Sequence, residues 1–356
     1  MNIRVLDTNF TAITVLDTYK SLIWTDRYNL CGDFEIFTPV SDGIFDYIKM
    51  DYYLQNRESD HVMIIEKLSI STDPEAGNYL TVTGRSLESI LDRRIIWGQK
   101  TLSGNLQDGI RTLLEECIIK PSDAERKIEN FIFEASTDPL ITNLTIDAQY
   151  TGDNLYNVIC TICEKHNIGF KVTLNDSNKF VFKLYAGVDR SYSQTSNPYV
   201  VFSPTFENLT NSNYVESKSA LKNVALVGGE GEGSERKYAT VGSASGLDRR
   251  ETFTDAKNVS SKVDKDTTLT NEEYTAKLKE RGDEDLAKNA KITSFEGEAQ
   301  TKTMYKYGVD FFMGDVVQIA NEYGHESSSR VIELVTSEDA GGLSVYPTFK
   351  TTQKEE

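Results

Sequence analysis

Cys160-x-x-Cys163-x-x-His166 is the set of residues in this chain whose types and spacing come nearest to a metal site. A structural zinc ion needs four thiolate or imidazole ligands, usually as two close pairs. The other two histidines are His61 and His325, and no second cysteine pair accompanies them. At helical spacing Cys160 and Cys163 share a stripe with Tyr156 and Ile159, which predicts a core-facing surface. A redox pair would sit at a helix N-terminus, where the dipole lowers the thiol pKa, whereas this pair falls in mid-helix. Gly229-x-Gly231-x-Gly233 has alternate glycines, but its spacers are glutamates. No lysine or helix follows at the spacing of a phosphate loop, so a flexible acidic hairpin tip is expected.

Hydrolase chemistry lacks its parts as well: neither His-Glu-x-x-His nor Gly-x-Ser-x-Gly occurs. With 55 acidic residues some close pair of carboxylates arises in any fold, so such a pair carries no weight for glycoside hydrolysis. Trp24, Tyr28 and the cluster Tyr47, Tyr52 and Tyr53 could stack on a sugar, although aromatics at strand spacing more often serve a core or an interface. The catalytic, cofactor-binding and metal-ligating sets are therefore expected to be empty.

The 55 acidic residues face 38 lysines and arginines, a net charge of -17. Such a surface repels phosphate, and no basic patch is visible along the chain, which disfavours nucleic-acid binding. Acidic walls would suit a channel through which DNA slides without sticking; solubility is the commoner use of such charge. The start of the chain lacks the pattern of a secretory signal, and no apolar run approaches the roughly 20 residues of a membrane span, so a soluble protein without a membrane anchor is expected. Cys31, Cys117, Cys160 and Cys163 are too sparse for a disulfide scaffold and read as small buried residues in a reducing compartment.

The elements that would position these residues fall into three stretches. From Asn2 to Ile96 the pattern is β, with strands around Ile3, Ala12, Leu22 and Phe34, then His61 to Ile70 and Tyr79 to Thr83. The stretch from Gly84 to Ile96 switches to helical spacing with Ser86 as its cap. Residues 97–198 read as an α/β insertion: a helix from Asn105 or Asp108 ending before Pro121, a strand at Phe131, a helix from Asp153 to His166, and a hairpin of Gly169 to Leu174 with Lys179 to Tyr185. Residues 199–356 return to strands in a meander with the Gly228 to Ser234 tip. A helix follows, opened by the capping box Thr270-Asn-Glu-Glu273 and broken near Gly282, then β structure from Ile292 to Phe349 and a frayed tail from Lys350. The class is α+β, mainly β.

An ordered set of motifs runs through these elements. Trp24, Tyr28 and Gly32-Asp-Phe34 are followed by Met63-Ile-Ile-Glu66 and Gly84-Arg-Ser-Leu-Glu-Ser-Ile-Leu-Asp-Arg-Arg-Ile-Ile96. Gly246-Leu-Asp-Arg-Arg-Glu251, Tyr307-Gly-Val-Asp310, Gly314-Asp-Val-Val317, Arg330-Val-Ile-Glu333 and Pro347-Thr-Phe349 come later. In this order the set resembles the siphovirus tail-hub, or tail-associated, protein family of phages and prophages of Gram-positive bacteria, itself similar to the baseplate hub of contractile-tailed phages. Phe311-Phe-Met313, where the family pattern suggests a leucine before Gly314, is a conservative departure.

The resemblance implies a structural protein of the virion, made in the bacterial cytoplasm and placed at the phage tail tip. It implies two tube-like antiparallel β-barrel domains with an α/β insertion, and three copies in a ring. The implied partners are the protein itself as a homotrimer, the distal tail protein and tail tube, and a tail fibre, spike or receptor-binding protein, with DNA only in passage and no cofactor. A tail-associated cell-wall hydrolase and a carbohydrate receptor-binding module are the alternatives. Trp24, Gly32, Phe34, Gly84, Arg85, Leu87, Arg93, Arg94, Gly314 and Asp315 look like family-signature residues, with packing, turn, carboxylate-pairing or subunit-contact roles.

Overall fold

The computed structural model describes every residue except 74, 76, 263–266, 300–303, 322, 324, 325 and 352–356. His325, residues 263–266 before the capping box and most of the C-terminal tail lie outside the described residues.

Alternation of apolar and polar residues sets up the N-terminal strands. In Asp33–Pro39, Phe34 and Ile36 are buried while Glu35 is exposed. Seven strands pair in the order Ala12–Leu16, Ile3–Leu6, Tyr53–Asn56, Val62–Asp73, Gly77–Ser86, Asp33–Pro39 and Ser21–Arg27. They enclose a core of Ile3, Val5, Trp24, Phe34, Ile36, Leu54, Met63, Ile65, Leu80 and Val82. The sheet does not stop at its seventh strand. Ser21–Arg27 pairs antiparallel with Glu326–Asp339, which carries the sheet on through Gly342–Thr351 and Ile292–Ala299 to Leu209–Ser217. Val316–Ala320 and Val201–Phe202 attach to the side of this path, giving 13 strands in all.

The mainly β class is as expected, but closure into two separate barrels is not seen. Among the described residues the pairing order is open, because the strand that would close the first half spends its free edge on the second.

The stretch after Gly84 differs from its helical expectation. Gly84 to Ser86 finish a strand, and Leu87–Arg93 is a single 3₁₀ segment. Ser86 does not cap it, since its Oγ accepts the Gly32 N–H at 2.7 Å. Leu87, Ile90, Leu91 and Ile96 point into the core of the insertion, with Leu106, Ile110, Leu113, Ile159 and Phe170. Asn105 caps the helix Leu106–Leu114, which continues as a π turn, Glu115–Ile119, before Pro121. Asn154 caps the helix Leu155–Lys165. Gly169–Leu174 and Phe180–Tyr185 form the expected hairpin, and Phe131–Glu134 joins it in parallel. The pair Gln99–Asn105 and Thr145–Thr151 was not anticipated: the first strand buries only Leu102 and carries no alternating apolar signal.

The expected meander is divided. Leu209–Ser217 belongs to the large sheet, whereas Val224–Gly228 pairs with Tyr238–Val241 and Glu251–Asp255 in a small sheet. The helix Asn271–Lys288 covers one face of that sheet, opened by the capping box at Thr270 and Glu273. Gly282 does not break it. A Cβ there would lie 2.7 Å from methyls of Val227 and Val241, so glycine lets helix and sheet approach closely. The glycine-rich tip is also packed at its base: the Glu230 N–H donates to the Tyr274 hydroxyl, and a Cβ at Gly229 would meet that hydroxyl at 2.3 Å.

Candidate functional site at the junction of the segments

Three ionisable side chains sink into the place where the N-terminal strands, the insertion and the C-terminal strands meet. Asp26 comes from Ser21–Arg27, His61 from the turn before Val62–Asp73, and Glu88 from the 3₁₀ segment; they are 7%, 6% and 0% exposed. His61 Nδ1 lies 3.1 Å from Glu88 Oε1, and that oxygen also accepts the Val172 N–H at 2.7 Å. Asp26 Oδ1 accepts from Trp24 Nε1 at 3.1 Å and Ser59 Oγ at 2.9 Å. Burial opposes charge on the imidazole, but Glu88 and Asp26 outweigh it and His61 is pushed up to about 9. Burial raises Asp26. Burial also works against the Glu88 carboxylate, yet His61 and its hydrogen bonds hold it below its ordinary range. At neutral pH the junction holds a His61–Glu88 ion pair with Asp26 beside it.

Two clefts of about 480 Å³ each flank Asp26. One is walled by Trp24, Tyr305, Tyr307, Phe311, Leu334 and Val345, the other by His61, Lys171, Tyr185, Phe312 and Asp315. Ser59, His61 and Asp26 have the residue types of a hydrolase triad. The triad is not assembled: Ser59 Oγ donates to Asp26, and among the described residues no imidazole nitrogen accepts it. Sequence reasoning missed this trio, and the available signal was charge inside strongly apolar stretches.

The residues expected to mark the family lie mostly around the junction. Trp24 and Phe34 pack together with ring centres 6.3 Å apart in the N-terminal core. At Gly32 a Cβ would stand 2.2 Å from the Thr25 carbonyl, and at Gly84 1.8 Å from that of Ile64, beside a bulge in the ladder. Arg85 grips both Glu66 oxygens, at 2.8 and 3.0 Å, and reaches Asp92 at 3.2 Å. Leu87 is fully buried against the insertion. Gly314 has a φ of 90°, and a Cβ would strike the Tyr28 ring at 2.2 Å. Asp315 clasps the end of the insertion: it accepts from the Val188 N–H at 2.7 Å, Arg190 Nε at 2.7 Å and the Phe312 N–H at 3.0 Å. Arg93 and Arg94, at the end of the 3₁₀ segment that carries Glu88, make no ion pair among the described residues.

The other motifs resolve as packing. Cys163 is fully buried and Cys160 half-buried, and burial pushes the Cys160 thiol up to about 12. Tyr156 bridges the Cys31 N–H and sulfur at 2.9 and 3.3 Å. Burial pulls His166 down to about 4. No group of three or more metal-ligating side chains occurs among the described residues. Trp24 and Tyr28 are each 1% exposed, which removes them from a sugar-stacking platform.

A profile of the siphovirus ReqiPepy6 Gp37-like protein family matches residues 2–349. The chain belongs to that family. The siphovirus relationship read from the ordered motifs is thereby borne out. No curated protein sequence matches the chain. Three solved structures share the fold of this Gp37-like chain. The prophage tail protein gp18 from Listeria monocytogenes EGD-e is 13% identical with a TM-score of 0.57, over 100% of this chain and 96% of that one. A tail protein from Neisseria meningitidis MC58 is 11% identical at 0.57, over 98% and 96%. The 43 kDa tail protein of prophage MuSo2 from Shewanella oneidensis is 12% identical at 0.58, over 98% of both.

Proposed function

We propose that this Gp37-like chain is a structural protein of a phage tail, a hub that joins the tail tube and distal tail protein to the tip. Family membership over nearly the whole chain carries the reading, supported by a fold shared end to end with three tail proteins, two of them from prophages. Three copies form a ring whose β regions stack on the tube on one side and receive a fibre, spike or receptor-binding protein on the other. The net charge of -17 keeps the passage from holding DNA. The ionisable junction serves to lock the N-terminal strands to the insertion rather than to perform chemistry. Residues 1–96 and 199–356 act as the two tube-like regions and 97–198 as the insertion, with Gly314 against Tyr28 and Asp315 paired with Arg190 fixing their relative placement. Electron microscopy of the purified protein tests this. Rings with threefold symmetry and a central opening are expected; compact particles without an opening at every concentration would contradict it.

A further inference from the structure

In a chain with a large acidic excess, three arginines without a carboxylate partner converge. Arg94 Nε donates to the Arg126 carbonyl at 2.9 Å and Arg94 Nη1 to the Arg93 carbonyl at 2.9 Å. Arg126 Nη2 donates to the Ile95 carbonyl at 2.5 Å, and its guanidinium lies 4.1 Å from the centre of the Trp97 ring. None of the three makes an ion pair among the described residues, although Arg85, Arg111, Arg190, Arg236 and Arg281 elsewhere each reach a carboxylate. A cleft of about 230 Å³ opens at Arg126, the one of the three that lines it, together with Trp97, Lys100, Glu116, Cys117 and Lys120. Glu116 offsets Lys100 through an ion pair, whereas Lys120 and Arg126 make none among the described residues. Trp97 is 49% exposed, so part of the indole surface is open to a ligand.

Assembling like charges costs free energy, and burial together with Arg126 and Arg93 holds Arg94 below its ordinary range. Guanidinium groups anchored by backbone carbonyls keep their remaining N–H donors in fixed directions, the arrangement that recognises phosphate oxygens. The sequence concealed the cluster, because Arg93 and Arg94 lie some 30 residues from Arg126 along the chain.

We propose that this cleft binds the phosphodiester backbone of a single-stranded nucleic acid, with arginines on the phosphates and Trp97 stacked on a base. A phosphodiester supplies permanent charge at repeated positions for several cations, and its bases supply a flat partner for the indole. The site is distinct from the junction and does not depend on the hub reading.

The test measures anisotropy of a labelled short oligothymidylate with the full chain over a range of salt concentrations, with polyglutamate and inorganic phosphate as competitors. Three backbone contacts predict a log–log salt slope of about -2 for a single strand. Arg94→Gln with Arg126→Gln should weaken binding at least tenfold and flatten the slope. Because those arginines also brace the backbone, Arg93→Glu with Lys120→Glu provides a second variant whose side chains make no described hydrogen bond or ion pair; it should weaken binding likewise. Trp97→Ala should weaken binding with the slope unchanged. Absence of binding at low salt, binding indifferent to both double variants, or polyglutamate competing as well as unlabelled oligothymidylate would overturn the proposal, the last in favour of an acidic protein partner.

Discussion

At the residue scale, Asp315 holds the C-terminal strands to the end of the insertion with three donors on one buried carboxylate. Removing it leaves those donors and the Arg190 charge without their partner, and losing half of a buried pair costs about 3–5 kcal/mol. Asp315→Ala should therefore lower the denaturant midpoint by that stability, as read by urea unfolding; a change under about 1 kcal/mol would refute the clasp. His61 gives a pH signature with a definite sign. Its folded pKa of about 9 exceeds the unfolded 6.5, so its contribution is complete below pH 6.5 and is lost as pH rises toward and through 9. Glu88 and Asp26 raise that pKa while burial and Lys171 oppose them, and the contribution is bounded by about 3 kcal/mol. Thermal unfolding between pH 6.5 and 9 should show a falling Tm that His61→Gln flattens. An equal slope in both proteins would remove the ion pair from the account. These roles were only partly legible: Gly314-Asp315 stood out as a motif, but nothing local says that Asp315 reaches Val188, 127 positions away.

At the scale of elements, capping chemistry was readable because it is local. Asn105, Asn154 and the Thr270–Glu273 box each satisfy N–H groups within a few residues. Ser86 has the same residue type at a matching position, yet its hydroxyl is taken by Gly32 across the sheet, a contact that no local pattern contains. Gly282 was misread for the same reason: the space it leaves is used by Val227 and Val241 from another element. Gly282→Ala decides between two effects. Helix propensity favours alanine by up to about 1 kcal/mol, whereas overpacking costs about 1–3 kcal/mol. The clash at 2.7 Å should win, so the variant should be destabilised by about 1 kcal/mol, with faster amide exchange in Asn271–Lys288. Slower exchange would mean that the sheet yields freely.

For the whole molecule, the alternating strands made a mainly β fold legible, but not the pairing of Ser21–Arg27 with Glu326–Asp339 that makes one sheet of both ends. Strand pairing across 300 residues leaves no trace in periodicity. Arg27 crosses this seam to Glu333 at 2.6 Å while also holding Asp33 at 2.5 Å. The pair is partly buried but still reached by water, each side chain being a quarter exposed, and is worth about 1 kcal/mol, so the seam rests on its ladder and on packing. Arg27→Ala should thus cost no more than about 1 kcal/mol in urea unfolding, and a much larger loss would shift the weight to the charges.

The open order of the sheet leaves Ala12–Leu16 and Leu209–Ser217 at its ends, which neighbouring copies would shield in the proposed ring. Light scattering of the purified chain across a concentration series tests the hub most directly. A mass near three times 40.0 kDa, reached at once or on concentration, is the predicted result; a monomer or a fixed dimer at every concentration would contradict the ring.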